Sequence, residues 1–116
     1  MSSEASKRLL DAACACAAIA GFTEGKNFAD YEADHLLCSA VERQFEIIGE
    51  ALGKAVKSQP SLVRDMPELP RIVGLRNRLI HGYDSVDDEL VWEIVQTKLA
   101  ALEKMLRLWL TEHGEA

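Results

Sequence analysis

The chain has 116 residues, of which 48% are hydrophobic and 28% are charged, and its net charge is −6. This length and composition are typical of one globular domain and exclude a disordered chain. No uncharged apolar run of about 18 residues occurs, and no apolar signal core follows a basic start, so we expect neither a membrane span nor a signal peptide. The sequence therefore predicts a single domain over residues 1–116 that works in the cytoplasm, away from any membrane.

The first two predicted helices fill the N-terminal half of the chain. The first runs from about residue 4 to Ala20, where Gly21 is a reasonable stop. Residues 28–31 could add a short helical turn before a long second helix over residues 32–57. Apolar residues recur along this second helix at steps of three and four, which predicts one continuous buried stripe: Leu37, Val41, Phe45, Ile48, Leu52 and Val56.

Two further helices follow. The third is predicted over residues 70–80, with Pro70 in its first turn and Gly82 able to end it. The last is predicted over residues 88–112, because acidic residues at its start interact favourably with the helix dipole. Because no alternating strand pattern appears, we predict an all-α fold, an antiparallel bundle of four main helices with short helical turns.

The cysteines do not predict a disulfide framework or a metal centre. Cys14, Cys16 and Cys38 are odd in number and lie in alanine-rich or helical surroundings, so we expect small buried thiols in a reducing compartment. A metal site that combines Cys14 and Cys16 with His35 is disfavoured, because the two sulfurs would lie about 200° apart on a helix. We therefore expect no metal and no cofactor.

A net negative charge argues against a nucleic-acid partner, but the charge is unevenly distributed along the chain. Residues 54–82 carry six basic side chains against two acidic ones (+4), and the rest of the chain carries seven against seventeen (−10). Because distant charges are screened beyond about 8 Å at physiological salt, this one basic stretch could attract a phosphate. A chance asymmetry is the alternative.

The same stretch contains a group of polar residues that could do chemistry. Arg76, Asn77, His81 and Tyr83 lie within eight residues of one another. On a helix Asn77 and His81 share a face, about 40° apart, and Arg76 lies at its edge. The simpler interpretation is a solvated helix end, with Arg76 pairing with a nearby carboxylate such as Asp88.

Metal-free RNA cleavage would explain why these residue types occur together. The reaction needs a base for the 2′-hydroxyl, an acid for the leaving 5′-oxygen and a cation for the phosphate charge. Histidine can act as base or acid, and arginine binds phosphate oxygens. Because one chain offers only one well-placed histidine, we predict a two-fold dimer that brings two copies of His81 into one cleft.

The stretch from Arg76 to Tyr83 resembles the R-x-x-x-x-H-x-Y motif of HepT-like toxins, which belong to the HEPN superfamily. The segment from Phe45 to Ala51 resembles a leucine/isoleucine-glycine-glutamate-alanine segment of the same family, and Val86-Asp87 with Val91-Trp92 resembles the start of its final helix. One departure is Leu69-Pro70, where relatives often have a bulky residue. The likeness covers most of the chain, from about residue 9 to residue 110.

This resemblance implies a metal-independent endoribonuclease toxin that acts as a homodimer on RNA. Arg76 and His81 would be catalytic, and Asn77 would support them. The partner would be a minimal nucleotidyltransferase antitoxin that adds AMP to Tyr83, where a bulky anion would block the cleft. The alternative is a non-catalytic HEPN-type dimer that binds nucleotides or serves only as a scaffold for the nucleotidyltransferase.

Overall fold

The computed structural model describes residues 3–74, Leu79 and residues 86–113. The regular elements in this part of the chain are helices and it contains no β-strand, so the predicted all-α fold is confirmed. In chain order they are α1 (Glu4–Thr23), α2 (Phe28–Ala33), α3 (His35–Ser58), α4 (Leu62–Asp65), α5 (Leu69–Val73), α6 (Asp88–Thr97) and α7 (Leu99–Glu112).

Helix α1 lies between α3 and α7 and packs closely on both. Small side chains allow this close approach, and they are buried at Ala5, Ala12, Ala13, Ala15 and Cys16. The predicted stop at Gly21 was wrong, because α1 continues to Thr23. There the Thr23 hydroxyl donates to the carbonyl of Ile19 at 2.8 Å, and an exposed helical glycine costs only about 1 kcal/mol.

The long second helix begins later than predicted because Asp34 separates it from α2. Asp34 has an extended backbone (φ −112°, ψ 97°), and its carboxylate accepts the Leu37 N–H at 3.0 Å as the N-cap of α3. Asn27 and Asp30 form a reciprocal capping box that starts α2 as a separate helix. The predicted stripe of α3 is confirmed as core from Leu37 to Leu52, with Val56 half-buried beside it.

The last predicted helix is divided at Lys98 into α6 and α7. The Thr97 hydroxyl donates to the carbonyl of Glu93 at 2.7 Å, a bond within the helix that often bends it. Lys98 then leaves the helical region (φ −121°, ψ −29°). The prediction of one unbroken helix was therefore wrong, although apolar residues on both sides of the break stay buried, at Val95 and Leu99.

The third predicted helix is described only at its beginning. Helix α5 starts at Leu69, one residue earlier than predicted, and Gly74 caps it with a right-handed backbone, its N–H donating to the Pro70 carbonyl at 3.2 Å. Apart from Leu79, the predicted continuation to residue 80 lies outside the described residues, as does Gly82. Among the helices in the described ranges, none combines the length and apolar character needed to cross a bilayer.

Candidate functional site

The four residues predicted to carry the chemistry lie outside the described part of the chain. They are Arg76, Asn77, His81 and Tyr83. The structure describes what surrounds them in sequence: α5 and Gly74 before them, Leu79 among them, and Val86 with α6 after them. The candidate site is therefore built from these neighbours.

Leu79 ties this segment to the hydrophobic core. Its side chain is buried, with 2% exposed, and its carbonyl accepts the backbone N–H of Asp87 at 3.1 Å. Asp87 is also the N-cap of α6, where its carboxylate accepts the Leu90 N–H at 3.1 Å. One residue thus joins the motif segment to the start of the following helix.

Helix α5 fixes the other end of the segment against α3. Leu69 is buried, and Ile72 and Val73 pack on the core as half-buried side chains. Helix α5 also contacts α3 directly: a Cβ added at Gly53 of α3 would lie 3.6 Å from Cγ1 of Val73, an ordinary van der Waals distance. The residues that enter and leave the motif are therefore held by the same helical core.

A groove lies beside α3 and α5. It has a volume of about 550 Å³ and lies between α3, α5, α6 and α7. Its lining is mainly apolar and includes Phe45, Ile72, Leu90, Ile94, Leu102 and Met105. Two acidic and two basic residues also line it, none of them ion-paired with another residue of the described ranges: Glu68, Glu93, Arg71 and Lys98.

Polar groups lie close together where α2 and α3 meet the start of α6, and one of them, Tyr31, is fully buried. The Tyr31 side chain is fully buried 5.3 Å from the Trp92 ring, and its hydroxyl has no hydrogen-bond partner within the described ranges. Burial, the Cys38 thiol and nearby carboxylates raise the pKa of this phenol, so it stays neutral. Burial and the neighbouring Asp88 carboxylate likewise raise the pKa of Glu42.

The cysteines and histidines of the described ranges do not form a metal centre, and no group of three ligand-type side chains comes together there. All three cysteines are free thiols, as predicted. Burial raises the pKa of Cys16 to about 12, which makes it an unreactive core residue. The expectation of small buried thiols was wrong for Cys14, which is exposed on α1.

Comparisons with known proteins agree on one family. The family described as "Ribonuclease HepT-like" matches residues 12–108. A protein of Caldanaerobacter subterraneus subsp. tengcongensis named "Putative RNase" is 36% identical over 87 residues, which are 72% of this chain and 74% of the relative. A "Probable ribonuclease HepT" of Thermococcus cleftensis is 35% identical over 98 residues, 82% of this chain and 86% of the relative. No solved structure matches the chain.

Proposed function

Because this chain belongs to the HepT-like ribonuclease family, we propose that it is a metal-independent endoribonuclease with Arg76 and His81 as its catalytic pair. The observation that carries the proposal is the family match over residues 12–108, which includes the whole segment from Arg76 to Tyr83. The attachment of both ends of this segment to the core supports it, because a catalytic segment needs a rigid platform.

The proposed reaction is internal transfer at a phosphodiester. A ribose 2′-oxygen attacks the adjacent phosphorus and the bond from phosphorus to the 5′-oxygen breaks, which leaves a 2′,3′-cyclic phosphate and a 5′-hydroxyl end. One imidazole takes the 2′-hydroxyl proton, and another gives a proton to the leaving oxygen. Arg76 stabilises the charge on the phosphate oxygens, and the Asn77 amide orients these groups.

Two imidazoles require two chains, so we propose that the enzyme is a homodimer. The groove between α3, α5, α6 and α7 is the surface we assign to the second copy, because α5 and α6 flank the catalytic segment in sequence. Its acidic and basic margins suit a two-fold interface, in which Glu93 of one copy can meet Lys98 of the other.

We propose a nucleotidyltransferase antitoxin as the regulator of this nuclease. In the inactivating step the Tyr83 phenol oxygen attacks the α-phosphorus of ATP, pyrophosphate leaves, and the phenol proton passes to solvent or a base of the transferase. The added AMP would place a negative charge and a bulky base two residues from His81, where it would repel RNA. Co-expression with the transferase should raise the intact mass by whole AMP units, and Tyr83→Phe should abolish that rise.

Cleavage in the presence of a chelator tests the nuclease directly. Wild-type protein in EDTA should cut a single-stranded RNA to products with cyclic phosphate ends, and His81→Ala should leave the same RNA intact. His113→Ala is the matched control, because His113 lies at the end of α7 and stacks on Trp109. Equal cleavage by wild type and His81→Ala would contradict the proposal.

A further inference from the structure

Three basic residues follow one another along the chain that leads into the catalytic segment. Lys57 lies in the last turn of α3, Arg64 in α4 and Arg71 in α5, and all three are exposed. Helix α4 packs against both α3 and α5, so the three helices that carry these residues are packed neighbours in the fold. We call the surface defined by Lys57, Arg64 and Arg71 the basic surface.

Buried residues on the inner side of the same stretch fix its orientation. Leu62, Met66 and Leu69 are 0%, 3% and 0% exposed. Tight backbone hydrogen bonds join them: the Met66 N–H donates to the Leu62 carbonyl at 2.7 Å, and the Leu69 N–H donates to the Met66 carbonyl at 3.1 Å. Because these side chains point into the core, Arg64, which lies between Leu62 and Met66, projects outwards.

The charges of the basic surface are not neutralised within the described ranges. The ion pairs found there each join residues of a single helix, and none includes Lys57, Arg64 or Arg71. Asp65, next to Arg64, accepts a hydrogen bond from the indole nitrogen of Trp109 at 3.0 Å, so its carboxylate is directed towards α7. Glu68, the other acidic residue of this stretch, lines with Arg71 the groove assigned to the second copy. The positive charge of Lys57 and Arg64 is therefore available to an outside partner.

We propose that the basic surface binds the phosphate backbone of the RNA strand on its way to the catalytic segment, an inference that rests on the proposed function. A nucleic-acid backbone needs only separated cations, whereas a protein interface needs apolar anchors at its centre. The large exposed apolar side chains of the described ranges all lie elsewhere, at Leu10, Phe22, Leu36 and Leu108. The surface also lacks aromatic residues that could stack on bases, so it binds RNA without reading its sequence.

Charge reversal on a catalytically inactive background tests this inference. In His81→Ala protein, Lys57→Glu/Arg64→Glu should weaken binding of a single-stranded RNA roughly tenfold at low salt. It should also lower the slope of log affinity against log salt by about 1.4, since each lost contact contributes about 0.7. Arg71 is left unchanged because it also lines the groove assigned to the second copy.

The matched control is Lys7→Glu/Lys104→Glu, which changes the net charge equally at exposed positions of α1 and α7. It should leave affinity and salt slope near those of the parent, and Lys57→Arg/Arg64→Lys should also bind normally. Equal weakening by the two charge reversals would overturn the inference while leaving the nuclease intact. If wild-type protein neither binds nor cleaves RNA, the proposed function fails instead. Thermal unfolding and dimer mass confirm that each variant is folded and assembled.

Discussion

The backbone nitrogen of Asp87 lies 3.1 Å from the carbonyl oxygen of Leu79, and this hydrogen bond joins the proposed catalytic segment, residues 76–83, to the N-cap of α6. The two residues have different tasks. Leu79 holds the segment in the core with a buried side chain, whereas Asp87 is exposed and starts a helix. Substitutions at these positions therefore affect the platform of the site without touching the residues proposed to react.

Leu79→Ala should lower the free energy of unfolding by about 2–5 kcal/mol, because it leaves a cavity in a packed core. Urea unfolding followed by circular dichroism measures this change. Leu36→Ala is the control, since Leu36 is 82% exposed and its loss should cost less than about 0.5 kcal/mol. A cost at Leu79 no greater than that at Leu36 would contradict the placement of Leu79 in the core.

Asp87→Ala should lower stability by about 1 kcal/mol, because α6 loses the side-chain acceptor for the Leu90 N–H. Asp87→Asn should keep most of that stability, since an asparagine amide oxygen caps equally well. Thermal unfolding of the three proteins under one condition provides the measurement. If the alanine and asparagine variants lose the same amount, the capping role is wrong and the charge of Asp87 is what matters.

Leu102→Glu should convert the proposed dimer to monomer, because it puts an unpaired charge into the lining of an apolar groove. Light scattering coupled to size-exclusion chromatography measures the mass. Leu108→Glu is the control on the same helix, since Leu108 is 55% exposed and does not line the groove. An unchanged dimer in the Leu102 variant would place the interface on another face.

Glu42→Gln should stabilise the protein at neutral pH. Burial beside Asp88 raises the pKa of Glu42 in the folded state, so the folded protein holds this proton more tightly than the unfolded chain does. Stability therefore falls as the pH rises from the ordinary glutamate value of 4.5 through the raised pKa, where ionisation opposes folding. The gain from Glu42→Gln should be present above this window and absent below it.

Unfolding measurements at about pH 4 and about pH 7 distinguish these cases. Glu89→Gln serves as the comparison, because Glu89 is an exposed acid in the first turn of α6. A stabilisation that is the same at both pH values would show that the Glu42 carboxyl is not responsible.

Much of the helical core was predictable because burial leaves a periodic trace in the sequence. The stripe from Leu37 to Leu52 follows from steps of three and four residues. The separation of α2 from α3 was predicted about two residues too early, and the break at Lys98 was missed because the apolar spacing continues across it. At Asp34 the side-chain cap sets where α3 begins. Before Lys98 the Thr97 hydroxyl bonds to the Glu93 carbonyl where α6 ends. Neither interaction changes the hydrophobic pattern of the sequence.

The candidate site was predictable in a different way. Arg76 and His81 were identified from residue type, spacing and family resemblance, and their roles stay predictions. The hydrogen bond between Asp87 and Leu79 could not be predicted. It joins two backbone groups, and a backbone hydrogen bond requires no particular side chain at either position. The acidic start of the last helix was the one available signal, and it indicated the cap but not its connection.

The hydrogen bond from Trp109 to Asp65 spans 44 positions of the chain, and the entire proposed catalytic segment lies inside that interval. A substitution at Trp109, near the carboxyl terminus, would therefore loosen the packing of α4 against α7. It would thereby disturb the stretch of chain that leads to residues 76–83, far from position 109 in sequence. The indole of Trp109 can also report on this contact: with Trp92 replaced by phenylalanine, its fluorescence should change when α4 and α7 separate.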